Sequence, residues 1–232
     1  MKFTKSLIKG KLVKRYKRFF TDIKLNKEII VAHCPNTGSM MGLLDEGNEV
    51  FVSKNNDPKR KLKYTLEIIK VKKNLVGVNT HFANKIAFHG LSNNLIKEVA
   101  NNKNIKPEVF FDKETRFDFL VEKNNQKSFV EVKNVTLFRN KKIAEFPDSI
   151  TSRGSKHLRA LIEATEKGYK TYLLFLVQIQ GVESFKIAKD IDKEYYENYK
   201  LAKKAGVNFL AYRCKISSKE ILIEKKLKIV DT

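Results

Sequence analysis

The sequence predicts a two-domain α/β protein of the α+β kind: a small antiparallel β-barrel over residues 1–82, then a mixed sheet flanked by helices over residues 83–232. Three observations carry this. Residues 11–78 read as short strands punctuated by Gly, Asn and Pro. The period then turns helical, and strands and helices alternate to the end, as a layered sheet requires. Finally, "YKTYLLFLVQ" at 169–178 is almost continuously apolar, as a strand becomes when both its faces are covered.

The elements follow in order. "KLVKRYKRFF" (11–20), "EIIVAHC" (28–34), "NEVFVS" (48–53), "KYTLEIIKV" (63–71) and "NLVGVN" (74–79) are the barrel strands. In "NKIAFHGLSNNLIKEVA", Asn84 is expected to cap a helix with Ile86, Leu91 and Ile96 on or near one side. Two strands, 115–122 and 128–137, flank the polar turn "KNNQK". A capped helix begins after "FPDSITS" and stops before Gly168. Asp192 opens the next helix, Gly206 closes it, and "VNFLAYRCKI" is a further apolar strand.

Composition narrows the partners. The 232 residues hold 47 Lys and Arg against 26 Asp and Glu, a formal charge of +21, far more than solubility needs. The excess is uneven: nine of the first 24 residues are basic, and residues 54–73 hold eight basic and two acidic ones. A polyanion is the expected partner, bound through its phosphates if it is a nucleic acid. A codon bias toward Lys, Asn and Ile is the other reading. No apolar run spans a bilayer, and no signal-peptide core follows the basic start, so a cytoplasmic protein without a membrane partner is expected. Cys34 and Cys214 have no zinc-type spacing and are expected to be reduced thiols.

One stretch breaks the pattern. "RFDFLVEKNNQKSFVEVKNVTL" (116–137) reads as two apolar strands, yet it carries Asp118, Glu131 and Lys133. Residues two apart share a face, so Glu131 and Lys133 point together, and a hairpin can bring Asp118 across from Glu131. Two adjacent carboxylates need a cation or proton between them, and hard oxygen ligands suit Mg²⁺ or Mn²⁺. With an ammonium alongside, this outlines a metal-dependent phosphodiester-hydrolysis site: Asp118 and Glu131 as metal ligands, and all three as catalytic residues. The competing reading is an exposed cross-strand ion pair.

The blocks "VAHCPNTGSMMGLL", "NDPKRKLKYTLE", "GVNTHFANK", "RFDFLVE", "FVEVKNVTL" and "FPDSITSRGSKHL" occur in the order and spacing of the bacterial sugar fermentation stimulation protein family. The chain resembles that family over nearly its whole length. The resemblance implies an OB-like N-terminal barrel, a C-terminal domain similar to the PD-(D/E)xK nucleases, non-specific DNA binding and a regulatory role in maltose metabolism. By motif match, the acid of the second nuclease strand falls on Asp118 and the "ExK" of the third on Glu131 and Lys133. Many such nucleases carry another acid on the preceding helix. Residues 84–97 contain none, and Glu98 is the first candidate. Asn134 and Ser152 stand where Ser and Glu are expected. Two functions are therefore in view: a Mg²⁺-dependent DNA-cleaving protein, or a non-catalytic DNA-binding regulator.

Further basic and hydroxyl groups extend the expected nucleic-acid surface. In "CPNTGSM", Asn36, Thr37 and Ser39 can donate to phosphate or sugar oxygens, or simply cap a tight turn. Lys14, Tyr16 and Arg18 are expected on one strand face, suited to phosphates and stacked bases. Lys59 and Arg60 sit in the basic run at 54–73. Arg153 and Lys156 lie in the first turns of a helix, where cations oppose the dipole, so phosphate contact is the better explanation. His157, beside them, receives no catalytic assignment.

Overall fold

The computed structural model describes residues 1–124, 126–140 and 142–230. Six strands open the chain: β1 (Ile8–Tyr16), β2 (Phe20–Leu25), β3 (Glu28–His33), β4 (Glu49–Lys54), β5 (Tyr64–Val71) and β6 (Asn74–Gly77). They are ordered β3-β2-β1-β4-β5-β6, and a parallel pairing of β3 with β5 closes the first five into a barrel. Alternation builds it. In β1, Gly10 and Leu12 point inward while Lys9 and Lys11 face solvent, and Leu12 joins Ile23, Ala32, Val50, Val52 and Leu66 in the core.

The strand expected over 11–20 is interrupted. Lys17 and Arg18 take left-handed φ of 47° and 61°, and the chain reverses so that Tyr16 pairs with Phe20. Arg18 thus sits on the turn rather than beside Lys14 and Tyr16; no Gly or Asn announced the reversal.

After a single 3₁₀ turn come α1 (Ala83–Ser92), β7 (Asn104–Phe110), β8 (Arg116–Lys123), β9 (Gln126–Val135), β10 (Ile143–Phe146), α2 (Ser152–Glu166), β11 (Lys170–Val177), β12 (Ser184–Ile187), α3 (Lys193–Lys204), β13 (Asn208–Ile216), β14 (Ile221–Lys226) and β15 (Lys228–Ile229). The main sheet runs β14-β13-β11-β9-β8-β7, with β9, β11 and β13 parallel and the outer pairings antiparallel. Helix α1 covers one face through Ile86 and Leu91, in a core shared with Val130, Val132, Leu174 and Leu176. Helices α2 and α3 cover the other through Leu158, Leu161 and Tyr195, beside Phe129, Leu173 and Phe175. Strands β10, β12 and β15 form a small parallel sheet.

Caps explain the ends of α2 and α3: Thr151 accepts from the Gly154 amide, and Asp192 from that of Tyr195. Helix α1 differs from expectation. Its N-cap is Phe82, without a side-chain bond, while Asn79 caps the 3₁₀ turn and Asn84 lies inside the helix. Ile96 falls beyond the helix yet is buried in the same core. Both cysteines are free and buried, and no described helix is long and apolar enough to cross a membrane.

The barrel and sheet share one continuous apolar core, in which Met40 and Leu43 meet Val135 and Phe138. Gly42 makes this approach workable: its φ is 82°, and a Cβ there would strike the Phe138 carbonyl. Gly47, at φ 84°, has nothing within 4 Å of the same position. Gly42→Ala is therefore expected to cost about 2–4 kcal/mol, strain plus collision, and Gly47→Ala roughly 1 kcal/mol of strain alone. Urea denaturation of the two variants checks this; equal losses would mean that the junction tolerates displacement.

Candidate functional site

The paired register of β8 and β9 ends at Phe119 and Val130, so the next step sets Asp118 opposite Glu131. Here the two strands part. The Val132 amide donates to Asp118 Oδ2 at 2.7 Å, and Asn84, reaching from α1, donates Nδ2 to Asp118 Oδ1 at 2.7 Å. Glu131 is 2% exposed. Its Oε1 accepts from Lys133 Nζ at 2.7 Å and also meets His157 Nδ1 of α2. Arg153 donates Nε to His157 Nε2 at 3.5 Å, while His157 Nδ1 stands against Glu131 Oε1 without a well-aligned hydrogen bond. Glu131 Oε2 is buried without a partner, as are the hydroxyls of Ser155 and Tyr195.

The two carboxylates are driven apart in acidity. Burial, then the charge of Glu131, pushes the Asp118 carboxyl up to about 6, against the opposing bonds from Val132 and Asn84. Burial also acts on Glu131, but Lys133 and His157 outweigh it and hold its carboxyl below the usual range. Tyr195, fully buried, has its phenol pushed well up by desolvation and by the nearby Glu131 charge. One carboxylate is thus anchored as an anion, and its neighbour is poised near neutrality.

The remaining predicted residues divide. Arg18, Asn36 and Thr37 line a cleft of about 350 Å³ between barrel and sheet, opposite Asn134, Thr136, Asp148 and Thr151. Asn36 is internal to it: Nδ2 donates to Thr136 Oγ1 at 3.2 Å, and Oδ1 accepts from the Gly38 amide at 2.9 Å. Ser39 is exposed, and Arg15 braces the loop by donating to the Asn36 carbonyl at 2.8 Å. Lys14 lies over the Tyr16 ring, and that ring stacks on Phe20 at 5.6 Å. Lys59 is exposed, whereas Arg60 lines a separate pocket with Phe82 and Lys85. Lys156 is paired with Glu114 at 2.9 Å. Arg153 is exposed above His157.

Glu98 is outside this constellation, bonded to Tyr212 Oη at 2.7 Å and Lys226 Nζ at 2.6 Å. Asn84 reaches Asp118 from the helix where an acid was sought. Two site residues escaped sequence reasoning, Asn84 as a partner of Asp118 and His157 as a partner of Glu131. The signal for His157 was present: Gly154, His157, Leu158 and Leu161 form the buried i, i+3, i+4, i+7 stripe of α2.

A closed five-stranded barrel packed on a mixed sheet flanked by helices defines a class: an OB-like domain followed by an α/β domain. Family models match in that order, the SfsA N-terminal OB domain over residues 13–78 and the sugar fermentation stimulation protein RE domain over residues 81–220. The chain belongs to the sugar fermentation stimulation protein family. It is 82% identical over 231 residues to the sugar fermentation stimulation protein homolog of Pelagibacter ubique, covering 100% of both chains. It is 45% identical to that of Pseudoalteromonas atlantica, over 99% of this chain and 100% of the relative. The structure of Pyrococcus furiosus SfsA in complex with Ca²⁺ superposes with a TM-score of 0.88 at 24% identity, covering 99% of this chain and 98% of that one.

The acidity split gives opposite signs for the two carboxylates. The folded Asp118 value, about 6, lies above its ordinary 3.8, so its protonated form stabilises the fold at low pH and that contribution is lost as pH rises from about 4 to 6. Asp118→Asn is expected to remove this loss, gaining roughly 1–3 kcal/mol at pH 7 without metal. Glu131, with its lowered value, contributes above the ordinary carboxyl range, and Glu131→Gln is expected to cost about 3 kcal/mol by stranding Lys133. Thermal melts in chelator across pH 4.5–7.5 check both signs; a destabilised Asp118→Asn would overturn the assignment.

Proposed function

We propose that this chain binds DNA non-specifically through its basic surface and cleaves phosphodiester bonds at Asp118, Glu131 and Lys133 with the help of Mg²⁺ or Mn²⁺. One observation carries the reading: Glu131 is buried with one oxygen held by the Lys133 ammonium and the other unpartnered, beside a second carboxylate whose acidity it weakens. That excess of hard oxygen donors and negative charge fits a divalent cation, which Glu131 Oε2 and the Asp118 carboxylate would hold. When bound, such an ion polarises a phosphoryl oxygen and lowers the pKa of water. Lys133 supplies an ammonium held in place by Glu131, available to the charge that grows on a phosphate in the transition state. Asn84 and His157 fix the two carboxylates from opposite layers of the sheet. The Ca²⁺ of the archaeal relative is another oxygen-seeking cation.

In this reading residues 1–82 chiefly bind the strand, residues 83–232 carry the chemistry, and the protein works in the cytoplasm. DNA binding without turnover, as a regulator of sugar metabolism, is favoured by one fact. Among the described residues, no three His, Cys, Asp or Glu side chains are grouped to hold a metal ion.

Plasmid nicking with Mg²⁺ or Mn²⁺, beside calorimetric metal titration, separates the readings. Cleavage is expected to fall at least about 100-fold in Lys133→Ala with metal affinity largely kept, and both cleavage and metal binding to vanish in Asp118→Asn. Metal binding in Asp118→Asn equal to that of the unmodified chain would sink the site. Affinity for duplex DNA is expected to fall with salt at a log–log slope of roughly −0.9 per phosphate contacted, and a flat response would reject DNA as partner.

A further inference from the structure

Beside Asp118, on the α1 face of the sheet, lies a cavity of about 330 Å³ lined by Asn84, Lys85, Phe88, Pro107, Glu108 and Phe119. Its floor is aromatic. Phe119 is 2% exposed and fixed in the core, whereas Phe88 is 41% exposed, and the two rings lie 6.2 Å apart. Phe88 therefore packs on Phe119 along one side and stays open to solvent on the other, while its helix buries Ile86, Ala87 and Leu91. The rim is polar and compensated. Glu108 accepts from Arg116 Nε at 2.9 Å, so its charge does not stand bare before an anionic strand, and Lys85 adds a cation at the mouth. Arg116 in turn lies 5.7 Å from the centre of the Phe110 ring, a second aromatic face that is 65% exposed.

Asn84 links this pocket to the carboxylates. Its Nδ2 is 2.7 Å from Asp118 Oδ1 and 3.4 Å from Glu108 Oε1, so one side chain belongs to both the pocket wall and the acidic centre. Glu108 itself interrupts the pairing of β7 with β8: its φ is 54°, and the ladder lapses there, between Pro107–Phe119 and Val109–Phe117, at the position opposite Asp118, without a change of register.

We propose that this pocket takes one unpaired nucleobase of the strand whose phosphodiester lies at Asp118 and Glu131, which makes the substrate single-stranded or locally unpaired nucleic acid. The inference rests on the reading of those carboxylates as a phosphodiester site. A chain of charge +21 draws in a polyanion, and the one part of a nucleotide that prefers an aromatic floor to water is the face of its base. A base in a duplex has both faces stacked and cannot enter without being turned out.

The test uses fluorescence anisotropy of the full chain in chelator, with three probes of equal length: a single-stranded deoxyoligonucleotide, the same strand made abasic, and a duplex. The single strand is expected to bind roughly tenfold tighter than the abasic strand. Phe88→Ala is expected to erase that difference while leaving abasic binding unchanged, and Phe88→Tyr to retain it; Phe88 is solvent-exposed, and circular dichroism verifies the fold. Equal binding of based and abasic strands, equal losses on both in Phe88→Ala, or tighter binding of duplex than of single strand would overturn the proposal. Because chelator removes divalent ions, the result is independent of turnover. A base preference that persists in a chain unable to cleave with Mg²⁺ would sink the phosphodiester reading and leave the pocket standing.

Discussion

A carboxylate buried among apolar strands sets the terms for the rest of this molecule. Glu131 lies on β9, between β8 and β11, where its register partner is Leu173. An isolated charge there would be prohibitively costly, so polar partners must come to it. One arrives along its own strand, from Lys133 two residues on. The other donor, His157, comes from α2 and dictates how that helix enters: Gly154 sits where a Cβ would lie 3.0 Å from Tyr195, allowing the first turn to settle against α3. Asp118 is then confined by what Glu131 leaves over, and it takes the Val132 amide that a regular ladder would have given to a backbone carbonyl.

The barrel depends on the same strand further along. Past β9, Thr136 receives Asn36, and Phe138 meets the Met41 carbonyl and Gly42. Gly38 is pressed so closely on Asp148 that any side chain would collide with its carboxylate. The "CPNTGSM" loop is thereby tied to the strand that carries Glu131 and Lys133 and to the approach to α2. Its Asn and Gly are explained by geometry, and Thr37 and Ser39 are left facing outward. Barrel and sheet thus meet along the cleft that this loop lines together with Asn134 and Thr151.

How much of this was legible in the sequence depends on the range of the interaction. Strands whose apolar residues alternate, and helices with Thr151 or Asp192 at their start, announce themselves locally, and so did the pairing of Glu131 with Lys133. Asp118 could be placed because a short hairpin fixes register. What failed were features settled by distant contacts. Lys17 and Arg18 turn because β2 must return along β1, with no glycine to mark it. Asn84 has the chemistry of a cap but is used as a tertiary donor to a residue 34 positions away. His157 reads as one more polar residue among basic neighbours until α2 is laid on the sheet. An acid was sought on α1 because a metal wants several anionic ligands; a neutral amide there changes the charge balance that sets the Asp118 acidity.

The left-handed turn of the backbone at Glu108 has a consequence beyond the pocket. Strand β7 is the outermost of the main sheet, and such a strand is a template onto which another chain can add. Pro107 removes one donor from it, and the left-handed residue that follows leaves one position unpaired. At the opposite border, Lys2 and Glu220 form a bridge, and Phe3 bonds to the Lys219 carbonyl, so the N-terminal residues lie alongside the last strand. Both borders are blunted by backbone means. The uncovered rings of Phe88 and Phe110 thus stand by a border strand whose ladder is interrupted, which shortens the run along which a second copy could pair.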